Sequence, residues 1–244
     1  MEALVSDAQR AIVADDEAAL RDAIRRGADV NGMIPCHDDK SGESGLCSLL
    51  FLAASRGLPG MCEILLAEGA DADIPATIDG CVSLHSAALQ GFTACVRLLL
   101  RAGADVNYRC NIGSAPLHSA SCCGRVHTAK LLIAAGANLE PRINVSIRLH
   151  HGFTPLRLAI IKGQREVALT LLRAGAPITV LPTKLIKPEN EALQDHMIDI
   201  IDTGGWNARV ERHRRPLMSI LSNLALPHDA LVVVLSFWSP PGGR

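Results

Sequence analysis

Residues 79–107 read DGCVSLHSAALQGFTACVRLLLRAGADVN, and residues 113–140 read GSAPLHSASCCGRVHTAKLLIAAGANLE. The second stretch repeats the first with little change. Each holds two small-residue, apolar runs of helical length, and each closes on Gly-Ala followed by Asp or Asn. Self-similarity of this kind is architectural: a unit too small to bury its own apolar face must stack on its neighbours.

The closing glycine serves as a ruler. It occurs at Gly27, Gly69, Gly103, Gly136 and Gly175, always followed by alanine, at steps of 42, 34, 33 and 39 residues. Apolar residues precede it each time: Ala23-Ile24, Leu65-Leu66, Leu99-Leu100, Leu132-Ile133 and Leu171-Leu172. Glycine stops a helix readily because, without a Cβ, it enters the left-handed conformation with little strain. Upstream of the later four glycines, 21 residues away, stand Ser48-Leu49-Leu50-Phe51, Val82-Ser83-Leu84-His85, Ala115-Pro116-Leu117-His118 and Thr154-Pro155-Leu156-Arg157. The last has a threonine N-cap and proline at the first helical position. Small residues follow at Ala53-Ala54, Ala87-Ala88, Ala120-Ser121 and Ala159-Ile160, which predicts an inner helix thin enough to stack closely.

Two helices and a turn at this period, with these start motifs, resemble the ankyrin repeat and its Thr-Pro-Leu-His-x-Ala pattern. The resemblance covers about residues 6 to 180. It implies an all-α ankyrin-repeat solenoid of stacked helix-turn-helix units with a helical C-terminal cap. The expected organisation is an N-terminal capping repeat over 1–31, four repeats over 32–180, a degenerate sixth repeat over 181–204 and a helical cap or short box-like segment over 205–244. The first unit carries the polar face a solenoid end needs, with Asp15, Asp16, Glu17, Arg21, Arg25 and Arg26. In the sixth, Thr183 and Gly204 keep the spacing, but Pro188 stops the inner helix early. The two long steps place insertions around Gly32–Gly45 and Pro141–His151, both in turns, where extra chain closes cheaply. These enlarged loops are expected to act as fingers that clamp a partner. Deleting residues 33 to 43 is then expected to weaken binding with little effect on the melting temperature.

The chain's 244 residues are 48% hydrophobic and 20% charged, enough apolar content to bury a core. Aromatics make up only 3%, so alanine and leucine fill the interior. A net charge of −1 gives no global electrostatic case for nucleic acid or an anionic membrane. MEALVSDAQR lacks a secretory signal, and no apolar run approaches the roughly 20 residues of a membrane span. The expected setting is cytoplasmic or nuclear, with a monomeric chain and another protein as its partner.

Eight cysteines raise disulfide and zinc readings. No Cys-x-x-Cys occurs, and adjacent Cys122-Cys123 cannot easily chelate one ion together. Cys47 and Cys81, in equivalent places of neighbouring repeats, are expected roughly 10 Å apart, the spacing of packed helices, beyond the disulfide limit of about 7 Å between Cα atoms. Cys62 and Cys95 read as small core residues. No cofactor and no metal are expected. Catalytic motifs are equally sparse: there is no phosphate-binding glycine loop, Gly-x-Ser-x-Gly or His-Glu-x-x-His. Cys122 or Cys123 near His127 has no third group to orient a base. His85 and His118 fill a slot whose family role is a hydrogen bond from one turn to the next, and Phe51 and Arg157 replace them elsewhere, which a catalytic role would not survive.

The remaining resource is surface. The ankyrin resemblance implies a non-enzymatic scaffold that grips a partner protein on its concave face and turn tips. Its variable contact positions fall, after the small-residue pair, on Ser55, Arg56, Leu89, Gln90, Cys122, Cys123, Ile161 and Lys162. Around the turns they fall on Ile78, Asp79, Cys81, Tyr108, Arg109, Asn111, Ile112, Ser114, His151 and Phe153. An alternative gives the tail its own task. Leu226 to Phe237 looks like the first helix of an F-box, and Pro216-Leu217, Leu221 and Ala225-Leu226 faintly resemble a SOCS box, with Leu221 where cysteine is expected. Either would make the chain a substrate-recognition subunit of a ubiquitin ligase that binds an adaptor through its C-terminal helices.

Overall fold

Helices of seven to thirteen residues are marginal or unstable alone, so this chain must gain its order from stacking. In the computed structural model, which describes residues 2–37, 44–143 and 153–176, ten helices form five successive pairs. The helices are α1 (Glu2–Ala14), α2 (Glu17–Arg25), α3 (Leu49–Arg56), α4 (Pro59–Ala67), α5 (Ser83–Gln90), α6 (Thr93–Arg101), α7 (Pro116–Cys122), α8 (Val126–Ala134), α9 (Pro155–Ile161) and α10 (Arg165–Arg173). Odd-numbered helices pack on odd and even on even, giving an inner row and an outer row within the compact unit that spans Met1–Ala174. The expected sixth repeat and C-terminal segment, 181–244, lie outside the described residues, as does His151.

The local chemistry explains each start and stop. Ser48 and Thr154 cap α3 and α9 by accepting the backbone N–H groups of Phe51 at 3.1 Å and Arg157 at 3.3 Å. Asp16 does the same for α2 through Ala19, at 2.9 Å. Pro59, Pro116 and Pro155 sit in the first turns of their helices, where no N–H is needed. The ruler glycines all have positive φ, from 88° to 94°. A second glycine series ends inner helices: Gly57 and Gly91 cap α3 and α5 in the left-handed region. Leu49, Leu50, Ala53, Ala54, Leu84, Ala87, Ala88, Leu117 and Ala120 are fully or almost fully buried in the inner row. Met61, Leu65, Val96, Leu99, Leu132 and Leu171 fill the outer row in the same way.

A ladder of side-chain acceptors joins the closing turns. Asn31 Oδ1 accepts the Asp71 N–H at 2.8 Å, the Asp73 carboxylate accepts Asp105 N–H at 3.0 Å, and Asn107 Oδ1 accepts Asn138 N–H at 2.7 Å. Each acceptor is itself placed by a turn: Asp29, Asp71 and Asp105 accept the N–H groups two residues on. The polar residue two beyond the closing Asp therefore ties one unit to the next.

The first insertion is not a plain loop. It forms an antiparallel hairpin of β1 (Met33–His37) and β2 (Ser44–Ser48), pairing Met33 with Ser48 and Cys36 with Gly45. Ile34 and Cys47 are each only 2% exposed, and Leu46 exchanges hydrogen bonds with Thr77 in the following turn. The hairpin is thus bonded into the stack, which changes what a 33–43 deletion removes: it takes away β1 and the Ile34 core contact. Ile34→Ala is expected to lower unfolding free energy by about 3 kcal/mol through a residual cavity. Chemical denaturation checks this, and a loss under about 0.5 kcal/mol, the usual surface range, would show that the hairpin packs loosely.

Candidate functional site

The inner row positions the expected contact residues in two lines. Ser55, Arg56, Leu89, Gln90, Cys122, Cys123, Ile161 and Lys162 occupy the C-terminal ends of α3, α5, α7 and α9. Ile78, Asp79, Tyr108, Arg109, Asn111 and Ile112 occupy the turns that precede α5 and α7. An inner helix of eight residues separates the lines by about 12 Å. Between them Leu52, Ser86 and Ser119 present half-buried side chains.

Most of these residues keep free surface, but several also hold the stack together. Gln90, Asn111 and Lys162 are exposed, and Leu89 and Ile112 are large apolar side chains exposed at 37% and 45%. Arg56 reaches back to the Val13 carbonyl at 3.2 Å, and Arg109 donates to the Arg142 carbonyl. Ser55 Oγ donates to the Leu52 carbonyl at 2.8 Å. Asp79 serves twice: Oδ1 accepts the Cys81 N–H at 2.9 Å, and its carbonyl accepts the Asn111 N–H at 3.0 Å. Tyr108 is half-buried, with its ring edge-on to His85 at 6.2 Å between centroids. Ile161 packs on a small core of Ile143, Phe153 and Leu158.

Phe153 departs from the expectation. It is 3% exposed, and its ring lies under the Arg157 guanidinium, 4.2 Å from the centroid. Its ring therefore offers no contact area to a partner. Ser114, 9% exposed, is likewise taken up by the stack.

The His slot performs its expected structural task. His85 Nε2 donates to the Ser114 carbonyl at 2.9 Å, and His118 Nε2 donates to the Phe153 carbonyl at 3.0 Å. A carbonyl cannot donate, so Nε2 carries the proton and Nδ1 the lone pair. Accordingly Nδ1 accepts the Val82 N–H at 3.4 Å in one ring and the Ala115 N–H at 3.0 Å in the other. Burial lowers both basicities, that of His118 to about 4, with Arg109 and His85 adding repulsion.

Cysteine placement is what the sequence spacing concealed. None of the eight forms a disulfide. Stacking nevertheless pairs Cys62 with Cys95 and Cys81 with Cys110, while the hairpin pairs Cys36 with Cys47. Cys81, Cys110 and His85 together bring three ligand atoms within 4.8 Å of one another, a set that could hold a metal ion. Searching for thiols a few residues apart misses groups that the repeat period makes neighbours.

No helix among the described residues is long and apolar enough to cross a membrane. A family model described as ankyrin repeats, in three copies, matches residues 50–143 and 113–181, and so spans more than half of the chain. No curated protein matches the chain.

The buried imidazole sets an acid limit. Below about pH 6.5 the unfolded chain takes up the proton that folded His118 refuses, so stability falls by about 1.4 kcal/mol per pH unit, by roughly 3 kcal/mol down to pH 4. His118→Asn should lose about 2 kcal/mol at pH 7, since the buried Phe153 carbonyl keeps only its bond from the Ile143 N–H and the Ala115 N–H loses its ring acceptor. It should also flatten the slope between pH 6.5 and 4. Urea midpoints across that range measure both, and an unchanged slope would assign the acid sensitivity to other groups.

Proposed function

The chain belongs to the ankyrin-repeat family, and from that premise we propose that it is a non-enzymatic scaffold holding a partner protein against its inner row and turn tips. Ankyrin repeats are a protein–protein interaction module, and the finer reading rests on one observation. Leu89 and Ile112 are large, apolar and exposed, one at an inner-helix end and one at a turn tip. Exposed apolar side chains beside polar ones such as Gln90, Asn111 and Lys162 are the ingredients of a protein-binding patch.

The two lines of residues suit a partner segment laid along the inner row, perpendicular to the inner helices. Its floor is made of small or short side chains at Ser86 and Ser119, which let a backbone approach. Arg109 and Arg56, already tied to neighbouring carbonyls, frame the surface without large rotamer freedom left to lose. A standard patch would bury about 800 Å² on each partner. The ligase-adaptor alternative depends on residues 205–244 and gains no support from the described ones.

Leu89→Ser, Gln90→Ala and Ile112→Ser touch exposed positions, so each should change stability by no more than about 0.5 kcal/mol. Quantitative affinity purification of the intact chain beside this triple variant tests the reading. The expected result is a folded variant with selective loss of the proteins the native chain recovers. An identical set at identical abundance would move the binding surface elsewhere.

A further inference from the structure

Cys81 lies just before α5 and Cys110 just before α7, so two successive units each contribute one thiol to the His85 ring. We propose that Cys81, His85 and Cys110 form a structural site for a thiolate-seeking divalent ion of the zinc class, which clips these two turns together. Thiolate and imidazole are the donors such an ion prefers. Tetrahedral zinc with its usual bond lengths would set sulfur–sulfur separations of roughly 3.8 Å and sulfur–nitrogen separations of roughly 3.6 Å. Ligand atoms already within 4.8 Å of one another need to draw in by no more than about that difference.

The surroundings favour a cation here. Because Nε2–H is committed to the Ser114 carbonyl, the lone pair is on Nδ1, and the ion takes it by displacing the Val82 N–H, which sits at 3.4 Å against 3.0 Å for the matching bond of His118. A ligating imidazole whose other nitrogen donates to a backbone carbonyl is the usual outer-shell arrangement of a metal site. The Cys81 thiol donates to Cys110 sulfur, which holds Cys110 below the usual thiol range and Cys81 above it. The ion takes both sulfurs as thiolates, so any thiol proton leaves to solvent as it binds. The Asp79 carboxylate adds negative charge near both sulfurs and the ring, and a water would complete the four positions. The repeat itself does not demand these thiols. His118 occupies the same slot with Ser114 four residues before it and Ile143 25 after it, and Phe51 has Cys47 and Ala76 there. Only around His85, among the described residues, do all three ligands coincide.

The site stands apart from the partner-binding reading, although it would steady the turns that carry Asp79, Tyr108, Asn111 and Ile112. The test uses the full chain, reduced and metal-free, titrated with zinc and, as a spectroscopic surrogate, with cobalt(II). One equivalent of cobalt should give thiolate-to-metal absorption that zinc displaces, and zinc should raise the melting temperature. Cys81→Ser and Cys110→Ser should abolish the absorption, while Cys62→Ala should retain it. His85→Phe, which borrows the side chain found at position 51, should weaken it. Should a serine variant not fold, thiol alkylation of the native chain read by mass spectrometry decides: zinc should protect Cys81 and Cys110 and leave Cys36 and Cys123 unchanged. Absence of the absorption, its survival in both serine variants, or protection confined to other cysteines would overturn the site.

Discussion

One hydrogen bond governs how these units meet: a buried imidazole in one unit donating to a main-chain carbonyl in the next. His85 to Ser114 and His118 to Phe153 span 29 and 35 residues of chain. Each ring uses its other nitrogen to finish its own helix start. A side chain satisfied at both ends inside the stack fixes spacing and rotation at once, because a shift of either unit would strand a buried polar group. The alanine-rich inner row, the turns and the surface lines all inherit their positions from it.

The closing turns provide a second, wetter set of ties. Asn31, Asp73 and Asn107 each accept a main-chain N–H from the following unit. Two of the three are neutral amides, whereas Asp73 is a carboxylate whose partial burial, reinforced by Asp71 and Asp105, raises its affinity for a proton. The same geometry is therefore achieved with different electrostatic consequences along the ladder. The core bond and the ladder act at different depths of the stack, and the junction between the α5–α6 and α7–α8 units, which has both, is held at two depths.

Period, helix starts and glycine stops were readable from the residues because each reflects local backbone chemistry: Thr154 and Pro155 open a helix, and Gly103 closes one. The His slot was readable through the family pattern. The hairpin was not, since Met33–His37 shows no strand alternation and gains its pairing from Ser44–Ser48 and Thr77. Phe153 looked like a contact residue by position, yet its ring is buried in a small core with Ile143 and Leu158. Tyr108 and Arg56 kept their places but acquired internal partners. The Cys81–His85–Cys110 cluster was invisible to spacing rules because its members are neighbours only through stacking.

The His slot changes occupant along the stack, from Phe51 through His85 and His118 to Arg157. Phenylalanine has no ring nitrogen with which to reach the next unit, and the Arg157 Nε is buried without a hydrogen-bond partner among the described residues. The α5–α7 and α7–α9 junctions are therefore the most strongly latched, and the α3–α5 junction relies on packing and the closing turns. In a one-dimensional stack, cooperativity follows the junctions. Opening should begin outside the two histidine-latched junctions, so main-chain amides of α7, latched on both sides, should exchange with heavy water more slowly than those of α3.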